Sequence, residues 1–300
     1  MKIEIRAAAL VGTVCAACLA TAHAAGDDAS PHALAGNLSF ATNYVARGLT
    51  QTDYGPAMQG TLDYTHASGF YAGVFGSNVS WLADAWEPAA PNVSSNVYGG
   101  VVADVISKSL EIDLYGGWRK TFLEDFTFDV GAITYLFPGR YVLDTATYPD
   151  LSNPRTSEVY TGLSWRWITA KVWYAVSDAV FMVGDARGTY YANLSASVPL
   201  GDTGVTLYGG VGTWEWRGNA RFVRNLGIDN GNSVYTFQDV KIGASKEFLG
   251  FNFGVFWTAT NAPATAAVGT NAEGKVAVWA NRFGRNIGES SLWASVSKSF

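Results

Sequence analysis

The stretch "LEIDLYGGWR", residues 110–119, decides how the chain is to be read. Leu110, Ile112, Leu114, Gly116 and Trp118 alternate with Glu111, Asp113, Tyr115, Gly117 and Arg119. Such a period of two marks a β-strand with one apolar face and one charged face. The same pattern recurs. Phe126, Phe128 and Val130 alternate with Thr127 and Asp129, Val159, Leu163 and Trp165 with Glu158, Tyr160 and Arg166, and Val240 and Ile242 with Asp239 and Lys241. Twelve segments of this kind lie near 37–47, 56–66, 69–80, 108–119, 125–137, 156–166, 168–177, 187–198, 203–215, 236–247, 250–260 and 290–300. A ten-residue strand at ~3.3 Å per residue, tilted by ~40°, spans roughly 25 Å, the height of the apolar band of a membrane barrel.

Composition agrees. Charged residues make up only 15% of the 300 residues, while aromatics reach 14% and glycine numbers 33. A soluble domain carries about 25% charge. A barrel facing lipid needs less, because half of its strand residues point into hydrocarbon. The first 24 residues have the form of a signal peptide, with Lys2 and Arg6, an apolar run from Ala7 to Ala20, and Ala22-His23-Ala24 ahead of Ala25. Cleavage between Ala24 and Ala25 is expected. Both cysteines, Cys15 and Cys18, lie in that segment, so residues 25–300 have no thiol chemistry. Without Lys2, Glu4 and Arg6, 18 basic and 24 acidic residues remain, and no basic cluster points to nucleic acid. No later run reaches the ~18 apolar residues of a spanning helix.

The links between segments alternate in length. Short ones fall at 67–68, 120–124, 167, 199–202 and 248–249, and longer ones between them, up to 81–107 and 261–289. Bacterial outer-membrane barrels have this asymmetry, with brief periplasmic turns and long outer loops. The closing sequence "SLWASVSKSF" ends an alternating strand on Phe300, a terminal aromatic that barrel assembly machinery reads. The expected fold is therefore all-β: a transmembrane antiparallel up-and-down β-barrel of about twelve strands. The stretch "SNVYGGVVADVIS" (94–106), paired with "VAVWANR" (276–282), would raise the count to fourteen. The expected organisation is a signal peptide at 1–24, a periplasmic tail at 25–36 and the barrel at 37–300.

The first hairpin resembles a known family. The residues that carry the likeness are Asn43-Tyr44, Arg47-Gly48, Thr50-Gln51-Thr52, Pro56-Ala57, Gln59-Gly60 and Tyr64, followed by Gly69-Phe70-Tyr71, Gly73 and "GSNV" at Gly76–Val79. "LEIDLYGG" (Leu110–Gly117), "FDVGAITYLFPG" (Phe128–Gly139) and the closing strand fit the same pattern. In these the chain resembles the TorF-type family of outer-membrane porins. The resemblance implies a barrel and a channel and supplies no substrate. The stretch from Ser80 to Lys108 is longer than the family pattern.

Reading the polar face of each segment gives the candidate lumen residues: Arg47, Asp63, Glu111, Asp113, Arg119, Asp129, Glu158, Arg166, Lys171, Asp239 and Lys241. In an open barrel these set the field of a water-filled pore. In a narrow one they pair across the lumen and fill it, and the near balance of six acids and five bases suits that arrangement. Arg47 is expected at the outer end of the first strand, reaching Asp53 or Asp63. Tyr64, Phe70, Trp81, Trp118, Phe126, Trp165, Trp167, Tyr174, Trp214, Trp257 and Phe300 read as interfacial girdles. In "TWEWRG", Trp214 and Trp216 share a face at the mouth of a long loop. His32 is expected in the tail and His66 in a periplasmic turn, too far from other ligands for a metal site. No catalytic motif, metal or cofactor is expected.

These readings point to an exported outer-membrane channel of a Gram-negative bacterium, passing small hydrophilic solutes or ions. Its expected partners are outer-membrane lipid, the barrel assembly machinery and those solutes. A filled structural or surface-interaction barrel is the alternative. An outer-membrane hydrolase using His66 as base stands third.

Overall fold

A computed structural model describes residues 30–82, 102–106, 109–143, 152–218, 234–267, 275–281 and 284–300. Twelve strands form one closed antiparallel barrel in which every strand pairs with its neighbours in sequence. They are β1 (His32–Ala41), β2 (Ala57–His66), β3 (Phe70–Asn78), β4 (Leu110–Phe122), β5 (Phe126–Leu136) and β6 (Thr156–Trp165). Then come β7 (Ile168–Ala175), β8 (Tyr190–Pro199), β9 (Val205–Glu215), β10 (Phe237–Phe248), β11 (Phe251–Thr260) and β12 (Ser291–Ser299). β12 closes on β1 with Asn37 opposite Ser299 and Ala41 opposite Ser295. Beyond this ladder Gly36 and Phe300 exchange two backbone hydrogen bonds, of 2.9 and 3.0 Å. Closure leaves no unpaired edge, which is what permits strands to cross a bilayer.

The outer surface is the apolar half of the alternation. Leu38, Met58, Leu114, Leu194, Val211, Val255 and Leu292 are exposed there. The belt carries Tyr64, Phe70, Trp165, Trp167, Tyr174, Trp257 and Phe300 among its exposed aromatics. Trp81 and Trp214 do not belong to it. Both point inward and join the buried cluster inside the barrel.

Short turns gather at one end and long connections at the other. The tightest short turns hold two residues, Arg166–Trp167 and Leu249–Gly250, with positive φ at Arg166 (51°), Leu249 (52°) and Gly250 (75°). Such turns match the right-handed twist of the strands they join.

Both ends of β1, and the chain that follows it, differ from the sequence reading. β1 begins at His32, so the last five residues of the expected tail belong to the barrel, and His32 opens the strand. The alternation of Leu34 and Leu38 with Asn37 lets these residues continue the ladder to β2, where His32 faces His66. At its other end β1 stops at Ala41, and residues 42–47 leave the wall. The barrel count is the expected twelve rather than fourteen, because Val102–Ile106 pairs with Arg140–Leu143, and Thr265–Ala267 with Lys275–Ala277, in two separate two-stranded sheets. Finally, Val45–Ala46 and Leu49–Thr50 form a hairpin of their own.

Candidate functional site

That small hairpin is the centre of the site. Val45 faces Thr50 and Ala46 faces Leu49, which leaves Arg47 and Gly48 as a two-residue turn with φ of 48° and 78°. Two consecutive positive φ values define a type I′ turn, for which glycine in second place is the usual choice. The base of the hairpin is fixed by Asn43. Its Oδ1 accepts from the Thr50 hydroxyl (2.6 Å), and Gln51 N–H donates to the Tyr44 carbonyl (2.7 Å). Thr50 N–H donates to Ile287 O and Ser80 N–H to Gln51 O, both at 2.8 Å, which ties the hairpin to two outer connections.

The hairpin does not lie over the barrel mouth; it enters it. Arg47 donates from Nη1 and Nη2 to Glu158 on β6 at 2.9 and 2.5 Å, and from Nη2 to the Tyr135 hydroxyl on β5 at 3.1 Å. Its Cζ lies 5.0 Å from the ring centre of Tyr191 and 4.9 Å from that of Trp214, with Tyr135 and Trp173 at 5.9 and 6.0 Å. Strands β5 to β9 thus surround the guanidinium. On the opposite side Gly48 lies against β10 and β11, where an added Cβ would collide with Thr260 and, at 2.6 Å, with Asp239 Cβ. Before the hairpin, Tyr44 reaches β4 and donates its hydroxyl to Glu111 at 3.2 Å. The hairpin therefore crosses the lumen from wall to wall.

Two cavities lie on either side of it. The outer one, about 100 Å³, is lined by Ala46, Arg47 and Leu49 of the hairpin, by Glu111, and by a wall that includes Trp81, Trp214 and Trp279. The inner one, about 70 Å³, is lined by Val45 and Gly48, and by Asp239, Lys241, Ser195 and Phe256. Below the hairpin the acids Asp63, Asp129 and Asp239 each accept from a tyrosine hydroxyl, and Asp129 also pairs with cations. Asp129 accepts from Lys171 at 2.9 Å and from the Tyr71 hydroxyl at 2.6 Å, with Arg119 3.6 Å away. Asp239 accepts from the Tyr191 hydroxyl at 2.8 Å, and Asp63 from that of Tyr115. Apart from the Arg119–Asp129 contact between neighbouring strands, these bonds each cross one intervening strand, so the groups face the concave side. Glycines make room for the larger partners: an added Cβ at Gly73 would strike the Tyr115 ring, and one at Gly131 the Tyr160 ring.

Comparison with known proteins places the sequence. The family model described as "Bacterial protein of unknown function (Gcw_chp)" matches residues 25–300. The chain belongs to the Gcw_chp family. No curated protein matches it. Among solved structures it is similar to the P. putida toluene transporter TodX, with 10% identity, 90% of each chain covered and a TM-score of 0.43. It is also similar to an anion-selective porin from Comamonas acidovorans (10% identity, 90% and 99% covered, TM-score 0.36). A third similar structure is LpxR from Salmonella typhimurium (10% identity, 89% and 99% covered, TM-score 0.37). At these identities the likeness concerns barrel architecture alone.

In this Gcw_chp barrel, nine sequence-selected residues face the lumen: Asp63, Glu111, Asp113, Arg119, Asp129, Glu158, Lys171, Asp239 and Lys241. Arg47 also lies inside the barrel, carried there by the hairpin. It meets neither Asp53 nor Asp63, and Asp53 instead accepts from Asn281 at 2.8 Å. The reason is the turn at Arg47–Gly48, which ends the extended stretch and points it inward. Arg166 does not face the lumen. It occupies the first position of a short turn and pairs with Asp125 at 2.9 Å, with both groups exposed. The aromatic lining, Tyr135, Trp173, Tyr191, Trp214 and Trp279 above all, is what a search for charges passes over. "VARGLT", with Val45-Ala46 and Leu49-Thr50 flanking Arg47-Gly48, is the signal that marks the hairpin.

His32 and His66 lie at the short-turn end. His32 Nδ1 is 2.7 Å from the Tyr64 hydroxyl, and His66 Nδ1 is 2.6 Å from Ser68 Oγ within the turn. A serine two residues from a histidine makes a local turn bond.

Proposed function

We propose that this barrel is an outer-membrane transport protein of porin type, with its conducting path closed by the Val45–Thr50 hairpin. One observation carries the reading: the hairpin spans the lumen between two cavities and is locked to the wall by the buried Arg47–Glu158 pair. A purely structural barrel has no need of a chain crossing held by a charge pair. Burial of two ions is costly unless the geometry is good and each is otherwise satisfied. Here Tyr135 completes Glu158, and four rings surround the guanidinium.

The remaining parts of the reading follow. Residues 1–24 direct export in a Gram-negative bacterium and are cleaved after Ala24. Phe300 presents the assembly signal. The inward charges filter small hydrophilic solutes or ions once the hairpin moves. The role is non-enzymatic and needs no cofactor. Supporting this, the Ser68–His66 contact is a local turn bond, exposed at the short-turn end. The TorF-type porin resemblance of the first hairpin is consistent with the same role.

Single-channel conductance in a planar bilayer tests the proposal. The native protein should be closed for most of the record. Arg47→Ala, which frees the hairpin, should give discrete, long-lived openings. A silent Arg47→Ala protein that is folded by its heat-modifiable migration overturns the channel reading. Steady openings of the native protein overturn closure by the hairpin.

A further inference from the structure

The outer cavity has a chemical character of its own. Tyr44, Trp81, Tyr135, Trp173, Trp214 and Trp279 are among the aromatics around it. Faces of such rings attract cations, most strongly when the pair is shielded from water. Three carboxyl groups lie in the same part of the lumen and are almost fully buried: Glu111 (4% exposed), Asp113 (0%) and Glu158 (1%). Glu158 is matched by Arg47. Glu111 accepts from the Tyr44 hydroxyl and is hydrogen-bonded to its neighbour Asp113, and no ion pair is described for either carboxyl group. The positive charge that acts on both is that same Arg47. One guanidinium thus serves three acids. The other lumenal cations repeat the motif on a smaller scale. Lys171 lies 3.9 Å from the Tyr160 ring centre, and Lys241 4.4 and 4.9 Å from those of Phe256 and Trp293.

We propose that the outer cavity is a receptor for organic cations of the guanidinium or alkylammonium class, and that Arg47 occupies it as a built-in competitor. The site is rich in carboxyl groups and walled by aromatic rings, and the group already seated in it is a guanidinium. An incoming cation meets Glu111 on the cavity wall, or displaces Arg47, which also lines the cavity. Replacement releases the hairpin. In that sense the inference rests on the transport reading and names the class of solute that opens the path. Three buried indole N–H groups around the cavity, of Trp81, Trp214 and Trp279, have no acceptor among the described residues. An anionic ligand would use them, but it would have to lie beside three carboxyl groups.

Titration of the purified barrel in detergent, followed by tryptophan fluorescence, separates these cases. Agmatine is the probe and hexanoate the anionic control. Agmatine should give a saturable change and hexanoate none. Arg47→Ala should bind agmatine at least about tenfold more tightly, because the internal occupant is gone, and agmatine should raise its unfolding temperature. No saturable response of Arg47→Ala to agmatine overturns the proposal. So does hexanoate binding that Arg47→Ala abolishes. If Arg47→Ala does not fold, Glu111→Gln serves: agmatine binding weakened about tenfold supports the site, and unchanged binding overturns it. Because binding is read in detergent and conductance in a bilayer, the receptor and the channel can fail separately.

Discussion

Arg47 and Glu158 hold one another in a place where neither has water to fall back on. Their side chains are 8% and 1% exposed. Removing the negative partner leaves a buried, uncompensated guanidinium, at a cost of about 3–5 kcal/mol. Glu158→Gln should therefore lower the temperature at which the folded gel band disappears. Glu289→Gln, at an exposed outer pair with Arg285, should move it little, since such pairs contribute about 0–1 kcal/mol. A Glu158→Gln protein as heat-stable as the native one would show that the pair does not hold the hairpin. Position by position, much of this was legible. Period-two alternation puts Glu111, Asp113, Glu158 and Asp239 on the polar face, and the fold agrees. It reads only residues on strands, however, so it misplaces Arg47 and Arg166, which sit in turns. Nor does a polar face reveal its partners. Asp129 meets Lys171 across an intervening strand, and that depends on barrel curvature rather than on either local sequence.

At the scale of elements, all twelve strands are visible in the alternation, and their links in the turn lengths. The inward hairpin is marked by "VARGLT" but hidden by its neighbour, because residues 37–47 read as one extended strand. Pairing between outer connections, as in 102–106 with 140–143, is a long-range choice that no periodicity encodes. The hairpin depends on such contacts. Just beyond it, the Tyr54 hydroxyl donates to Asn286 O at 2.5 Å and accepts from Glu289 N–H at 3.1 Å, while Arg285 Cζ lies 3.7 Å above its ring. Burial, and next the Glu289 carboxylate, push the phenol up to about 12. A tyrosine in an unfolded segment titrates near ~10. The neutral phenol is therefore favoured by the folded clasp, whose contribution is complete below about pH 10 and is lost as the pH rises through about 12. Limited proteolysis of the outer connections should accelerate over that window, and Tyr54→Phe should remove the step. Cleavage with the same pH profile in both proteins would contradict the clasp.

The whole molecule is a wall with lipid on one side and a largely polar lumen on the other, so polar substitutions cost more on its outer face than on its inner one. Val211 points outward from mid-β9, and Arg there should destabilise by about 2–4 kcal/mol in a bilayer. Ser195 lines the inner cavity, where a larger side chain has space and polar neighbours in Asn193 and Asp239. Refolding yields into liposomes should fall for Val211→Arg and hold for Ser195→Gln; equal losses would place the two faces wrongly. The same position gives the most direct test of a lumen divided by the hairpin. Residues 25–300 contain no cysteine, so Ser195→Cys introduces a single reporter below the hairpin. A membrane-impermeant thiol reagent added outside intact cells should label it slowly in the native background and at least about tenfold faster when Arg47→Ala releases the barrier. Rapid labelling at the same rate in both backgrounds would show that the hairpin does not close the barrel.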